Sequence, residues 1–474
     1  MHTKIIATLG PPSMNYECMK SLALAGARIF RLNFSHSDAQ SFVDTVGLIR
    51  RIESELDLPL TALGDLCGPK IRIGEVKQSP RIVNAGEKLF LGLPDEEAKA
   101  DPEKTFISLD MPELLQGLRA DMPVTLSDGL LQFTVTRVIK SDRLFELTAQ
   151  NAGPISSRKG IAFPGKQHAM PALTAKDIKD LHEGLDIGLN AVAISFVQGP
   201  QDVLQIKDEI KKHGVWVPVV AKLERQNAVD RLEEILAVTD VVMVARGDLG
   251  LECPIPDLPI IQKRILRACR HHQKPAIVAT QMLLSMVKNP IPTRAESTDV
   301  ANAILDGADC VMLSEETAVG DHPVEAVRFM REISDKAMAY YLERLQDPYP
   351  PKKEKNPAKY LAYSACIVAE NAQSTALVSH SQSGATARLL SSRRPPLPIY
   401  ALTPDPRVVH HLNFVWGVKP RLIATEPESH LARAEQFVAQ CPDFKPGDNV
   451  VVTAGQPTPG QVEQFTNTIK LYCK

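Results

Sequence analysis

No run of about 18 apolar residues occurs anywhere in the chain, so no segment reads as a membrane-spanning helix. There is no C-x-x-C pair either. The eight cysteines (Cys18, Cys67, Cys253, Cys269, Cys310, Cys366, Cys441, Cys473) are scattered, which argues against a disulfide or zinc framework and suits reduced thiols. The charge leans to neither sign: 54 Lys plus Arg face 56 Asp plus Glu, a formal net charge of −2. That balance gives no reason to expect a nucleic acid or a membrane as partner, and any phosphate binding has to be local. Low-complexity tracts and solenoid-length repeats are missing, and Met1 leads straight into K-I-I-A-T-L with no apolar signal segment. These absences predict a soluble cytoplasmic protein. What is present is 474 residues, too many for one ordinary core, so two or three domains are expected.

The most informative stretch runs from Val217 to Pro254 and reads as strand, helix, strand. Apolar β-rich runs at Val217 to Ala221 and Val241 to Ala245 flank a segment in which Val229, Leu232, Ile235 and Leu236 recur at helical spacing. The first run ends in Lys222 and Glu224, the second in Arg246, Gly247 and Asp248, and a βαβ unit brings both ends to one edge of a parallel sheet. Two carboxylates with a lysine beside them suit magnesium, which takes one or two protein oxygens and leaves its other positions to water and substrate phosphate.

Helix and strand alternate through the rest of the chain. Strands are expected at Lys4 to Leu9, Arg28 to Leu32, Leu60 to Leu63, Ala191 to Ile194, Val217 to Ala221, Val241 to Ala245, Ala276 to Ala279 and Cys310 to Leu313. Eight such units are the count of a (β/α)8 TIM barrel, covering residues 1–69 and 172–345. Between them, residues 70–171 are rich in turn signals and alternate with period two, as in an inserted small all-β domain. The proline-rich break Asp347 to Pro357 separates a C-terminal α/β domain, residues 346–474, with strands expected at A-L-V-S, P-I-Y-A-L and N-V-V-V-T.

In such a barrel the C-terminal strand ends converge on one site. Here they carry Thr8, Arg31 with Asn33, Asp65, Ser195, Lys222 with Glu224, Arg246-Gly247-Asp248, Thr280 with Gln281, and Ser314 with Glu316. Gly247 lets backbone approach a ligand closely.

The runs T-L-G-P-P-S at 8–13, R-L-N-F-S-H at 31–36, G-P-K-I-R at 68–72, K-L-E at 222–224, A-R-G-D-L-G at 245–250, A-T-Q-M-L at 279–283, T-R-A-E at 293–296 and D-G-A-D-C-V-M-L-S-E-E-T-A at 306–318 resemble the pyruvate kinases, from residue 1 to about 340. The resemblance implies phosphoryl transfer from phosphoenolpyruvate to ADP, giving ATP and pyruvate, in a homotetramer. It implies Glu224 and Asp248 as ligands of Mg2+ (or Mn2+), and Lys222 as the charge on the transferring phosphoryl and the enolate oxygen. Arg31 is the phosphate fork. The amides of Gly247 and Asp248, with Thr280 at the start of the next helical segment, receive the substrate carboxylate. Thr280 and Ser314 lie on the proton route to the enolate carbon. Asn33, His36, Arg72 and Lys159 are implied for the nucleotide, with the inserted domain as a lid.

The sequence also departs from that pattern. Potassium-dependent members ligate the ion with Asn, Ser, Asp and Thr; here Asn33, Ser35 and Asp65 remain, Leu66 replaces the threonine, and Lys70 replaces the glutamate of G-P-E-I-R. A leucine offers no oxygen, and an ammonium supplies the missing charge, so potassium is expected to be dispensable. Glu315 adds a charge beside Ser314. The loop Ser381-Gln-Ser383-Gly-Ala-Thr386 has the hydroxyls and glycine of a phosphate cradle, while Ala454 to Gly460 lacks the Trp and Arg of fructose bisphosphate-activated relatives, which leaves a monophosphate or nucleotide as the expected effector. A magnesium-dependent aldolase or lyase on the same barrel is the competing enzyme class, but it has no nucleotide lid and no R-L-N-F-S-H strand. A non-catalytic metabolite sensor is the other, against which the intact Lys222, Glu224, Asp248 and Thr280 speak.

Overall fold

The computed structural model describes residues 2–474 other than 36, 70, 102–103, 128, 167–170, 345–346, 352–354, 428 and 456–465. Eight parallel strands, Lys4–Thr8, Ala27–Asn33, Thr61–Asp65, Ala191–Ile194, Val219–Leu223, Val241–Ala245, Ala276–Ala279 and Cys310–Leu313, close on themselves, the last pairing with the first. The expected barrel is therefore present, with strand bounds shifted by a residue or two. The fifth strand lies at Val219–Leu223 instead of Val217 to Ala221, so Lys222 belongs to the strand and does not follow it.

The strands are buried on both sides, which is why they read as apolar runs. Alternate residues Ile6, Ile29, Leu63, Ala193, Val220, Met243, Ile277 and Met312 fill the barrel interior. The others pack outward against helices such as Tyr16–Ala25, which Asn15 caps by accepting the Cys18 amide. Thr174 with Asp177, and Thr293 with Glu296, form reciprocal capping boxes that start the helices Ala175–Asp186 and Arg294–Leu305. The single helix expected around Val229 to Leu236 is two, Gln226–Asp230 and Leu232–Val238, meeting at Arg231.

Between the third and fourth barrel strands lies a six-stranded sheet in the order Ile161–Ala162, Pro123–Leu126, Leu131–Lys140, Leu144–Ala149, Lys88–Gly92, Phe106–Ser108, with its own core around Leu89, Phe133, Phe145 and Leu147. Every pairing is antiparallel except the last, Lys88–Gly92 with Phe106–Ser108, which is parallel.

The C-terminal sheet runs Val418–Leu422, Ile399–Thr403, Ala376–His380, Asn449–Ala454, Thr468–Cys473, the last strand antiparallel. Its first and last strands escaped the sequence reading: Val418–Leu422 contains a proline, and Thr468–Cys473 is only partly buried. The C-terminal domain docks under the end of the barrel where the strands begin. Phe414 joins the barrel-interior cluster, the Asn413 amide donates to the Pro59 carbonyl at 2.9 Å, and buried Arg394 pairs with Asp309 at 3.0 Å. Trp416 sits in this seam, stacked on His2 and covered by the Arg394 guanidinium.

Candidate active site

A strand alternates its side chains with period two, so the residue two places beyond an inward-pointing apolar one emerges at the barrel mouth. Applied to the interior residues, that rule delivers Thr8 after Ile6, Arg31 after Ile29, Asp65 after Leu63, Ser195 after Ala193, Lys222 after Val220 and Ser314 after Met312. The ring of polar strand ends is a consequence of register.

At its centre, the Lys222 Nζ lies 3.2 Å from Asp65 Oδ1 and 3.0 Å from Glu224 Oε1, and donates to Ser195 Oγ at 2.8 Å. The Ser195 hydroxyl in turn donates a hydrogen bond to the Leu66 carbonyl at 2.7 Å. Arg31 donates through Nε to Asp65 Oδ2 at 2.6 Å and through Nη1 to Thr8 Oγ1 at 3.1 Å. Burial alone would lower the Lys222 ammonium, but Asp65 and Glu224 reverse this and hold it above the ordinary lysine range. Burial works in the opposite sense on Asp65, and the two cations overcome it, keeping the carboxylate ionised.

Glu224 Oε2 accepts the Phe196 amide at 2.7 Å. Burial, opposed by Lys222 and reinforced by the like charge of Asp248, pushes its carboxyl up to about 7. A second carboxylate that raises the first is the arrangement a divalent cation relieves. Among the described residues no cluster of three or more His, Cys, Asp or Glu suits a metal, but Mg2+ needs only one or two protein carboxylates, so Glu224 and Asp248 fit it.

Asp248 was expected at the charged end of the strand Val241 to Ala245; it lies in the short helix Arg246–Glu252, which begins directly after that strand. The Gly247 amide donates to Thr280 Oγ1 at 3.3 Å, and a Cβ on residue 247 would stand 3.0 Å from Thr280 Cγ2, so an alanine there would push Thr280 aside by a few tenths of an ångström. Thr280 does not open a helix as expected. Thr280 and Gln281 both take left-handed backbone, φ 72° and 54°; a 3-10 turn follows at Leu284–Val287, and the next α-helix waits until Arg294–Leu305. Arg246 holds this turn by donating to the Thr280 carbonyl at 2.8 Å and to Asp299 at 2.7 Å. Ser314 follows the last strand, and its amide donates to Glu316 Oε2 at 2.7 Å, while the Leu283 amide donates to Oε1 at 3.0 Å. Glu316 is buried and Glu315 exposed, so of the two neighbouring acids Glu316 is the one built into the rim.

The barrel mouth and the inserted sheet enclose a cleft of about 480 Å³ lined by Glu224, Asp248, Glu252, Arg72 and Lys159 among others. Arg72 bridges to Gly160, next to Lys159, so the two basic residues enter from one edge of the inserted domain. Asn33 Oδ1 accepts the Ser35 amide at 3.1 Å in a local turn, and Leu66 is buried in the barrel core. His36 and Lys70 lie outside the described residues. Ser381, Ser383 and Thr386 lie far along the chain in the C-terminal domain, where the Thr386 hydroxyl is buried against Thr466 Oγ1 at 2.8 Å and Ser383 is exposed.

Arg225, over the Phe196 ring, and Glu252 also line the cleft and were missed in the sequence, as was the bracing by Arg246. Burial, opposed by Arg225 and reinforced by Asp248, raises the Glu252 carboxyl to about 7. Arg246 was visible as the residue before Gly-Asp, but its partners Thr280 and Asp299 become neighbours only when the barrel closes.

Two family models match, "Pyruvate kinase, barrel domain" over residues 1–327 and "Pyruvate kinase, alpha/beta domain" over residues 359–472. Among similar proteins, a pyruvate kinase of Agrobacterium vitis is 40% identical over 96% of this chain and 93% of its own length. Pyruvate kinase 2 of Synechocystis is 41% identical over 96% and 76%, and a pyruvate kinase of Clostridium perfringens 37% identical over 99% of both chains. Two domain models end to end and relatives of this identity over nearly the whole length, on a closed eight-stranded barrel, leave one conclusion: the chain is an enzyme that belongs to the pyruvate kinase family.

Proposed function

We propose that the chain transfers the phosphoryl group of phosphoenolpyruvate to ADP with Mg2+ (or Mn2+) held by Glu224 and Asp248. The observation that carries this is the placing of one ammonium, Lys222, between Asp65 and Glu224 at the mouth. A bound divalent cation supplies charge neutralisation and a template for in-line transfer. The chain's own groups do the rest. Lys222 faces the transferring phosphoryl and the enolate oxygen; Arg31, anchored through Nε and Nη1, has Nη2 left for a phosphate oxygen. The Gly247 and Asp248 amides and the Thr280 hydroxyl receive the substrate carboxylate, and Thr280 and Ser314 pass the proton toward the enolate carbon. Asn33, His36, Arg72 and Lys159 bind the nucleotide. Residues 70–171 close as a lid and exclude water; Gly129 of the inserted domain already abuts Leu251 across the cleft. A coupled assay with phosphoenolpyruvate, ADP and magnesium tests the reading: pyruvate must form only when ADP is present, and ADP-independent formation overturns it.

Potassium is dispensable in this reading. Leu66 is buried without a side-chain oxygen, and the Asp65 carboxylate is already engaged by two side-chain cations. Full turnover in buffer whose only monovalent cation is tetramethylammonium is expected, and loss of most activity there refutes it. We also take the enzyme to be a cytoplasmic homotetramer. Ile255, Ile260 and Ile291 expose apolar side chains on the barrel surface, which assembly would cover. Sedimentation checks the mass.

A further inference from the structure

On the side of the barrel away from the mouth, a second cleft of about 650 Å³ opens between the barrel and the C-terminal domain. Three separate segments line it: the turn 272–274 before the seventh strand, the start of the helix Pro357–Asn371, and one face of the helix Ala385–Ser391. Its charged lining is His272, Lys274, Lys355 and Arg388, with no carboxylate. His272 is paired with Glu233 at 2.6 Å. Among the described residues the Lys274 and Arg388 side chains make hydrogen bonds only to neutral carbonyls, of Thr239 at 2.6 Å and Ser383 at 2.9 Å. Among the described residues no ion pair joins Lys274, Lys355 or Arg388 to an acid.

The acids nearby are already committed, Glu233 to His272 and Asp240 to Lys207. Asp240 is paired with Lys207 at 2.9 Å and accepts the Val219 amide at 3.0 Å. Behind the cleft, His411 is buried with both ring nitrogens unpartnered. Burial pushes the Lys274 ammonium down, Asp240 opposes it, and Lys207 and Arg388 add smaller downward pushes. Asp240 is thus shared as counter-charge among Lys207, Lys274 and Arg388, which leaves the half-buried cleft with positive charge in excess, and a dianion between the cations removes that cost.

We propose that this cleft binds a small phosphate-bearing metabolite, its phosphoryl group held by Lys274, Lys355 and Arg388. A guanidinium with part of its fork uncommitted and two ammoniums match a phosphate dianion better than a single carboxylate. The site is separate from the hydroxyl loop Ser381 to Thr386: Thr386 on the opposite face of the same short helix is buried against Thr466, whereas Ala385, Arg388 and Leu389 face the cleft. Its ligand bridges the C-terminal domain and the barrel, a connection that stands whether or not the catalytic roles above are right.

The test is calorimetric titration of the full-length protein with inorganic phosphate, without magnesium, phosphoenolpyruvate or ADP, against chloride at matched ionic strength. A saturable component is expected that weakens by about tenfold in Lys355→Gln and in Lys274→Gln, the effect of one charge-assisted hydrogen bond, and persists in Ser383→Ala. Lys355 is exposed and bonds to nothing else described, so its variant keeps the fold, and an unchanged melting curve and phosphate-free turnover verify that. No saturable component, heat reproduced by chloride, a component that survives Lys355→Gln within twofold, or one that disappears in Ser383→Ala each overturns the proposal.

Discussion

The two ends of the barrel handle buried charge in opposite ways. At the mouth, Arg31, Asp65, Lys222 and Glu224 are packed within ion-pair distance, which keeps Asp65 and Lys222 ionised while Glu224 is pushed up to about 7, and they open onto a cleft. At the opposite end, Arg394 and Asp309 are sealed into the domain seam, and His411 is kept neutral by burial and by the cations around it. The mouth charges border an open cleft; the far pair is used in docking. Both sets are paired within the protein; what differs is that the mouth set borders a cleft while the far pair is enclosed between two domains.

That contrast can be broken first at the mouth. Lys222→Gln is expected to lower kcat on the order of 10³-fold or more, the scale for losing a charge aimed at a transferring phosphoryl, with a folded barrel by circular dichroism. Unchanged ATP synthesis would end the mechanism. Asp309→Ala should do the converse, leaving Arg394 buried and unpaired and destabilising the protein by about 3 kcal/mol in denaturant titration, while turnover per folded molecule is retained.

A smaller effect is expected from Gly247→Ala. The new methyl would press on Thr280, and kcat/KM is expected to fall about tenfold without loss of stability, since the helix gains from alanine.

The far end also predicts a pH dependence. An unfolded imidazole takes a proton below about 6.5. Folded His411 is held down to about 3 by burial first, then by Arg388, with Lys274 and Lys207 adding to it and Asp240 opposing. The unfolded chain therefore binds more protons in between, so stability falls as pH drops below about 6.5, by up to about 1.4 kcal/mol per pH unit. Buried His2, His380 and His410 are held down in the same way and add to the slope; unfolding midpoints at pH 7 and 5 measure it, and His411→Asn should reduce it by one proton's share. The smallest change separates neighbours: exposed Glu315→Ala is expected to shift stability by less than about 0.5 kcal/mol, whereas Glu316→Ala releases two backbone amides and loosens the Ser314 and Leu283 segments.

Much of this was legible in the chain. The eight apolar runs became eight barrel strands, because strands buried on both faces have no polar alternation to hide them. Lys222, Glu224 and Asp248 stood out for a related reason: charge that abruptly ends an apolar run must lie at a sheet edge. Other features left no such mark. The helix at Arg246–Glu252 carries two glycines, and the left-handed backbone at Thr280 and Gln281 has no glycine to announce it. The strand Thr468–Cys473 is so exposed that its apolar pattern is faint.

The sequence by itself determined the barrel, the residue types at its mouth and the family. Periodicity and local motifs are properties of neighbours along the chain, and they survive without coordinates. Only the tertiary structure decided which charges meet: Lys222 with Asp65 across 157 positions, Arg246 with Thr280 and Asp299, and a basic turn of the barrel with a helix of the C-terminal domain. Those distances follow from closing a sheet and docking a domain, steps in which residues remote in sequence are brought together by the burial of apolar surface between them.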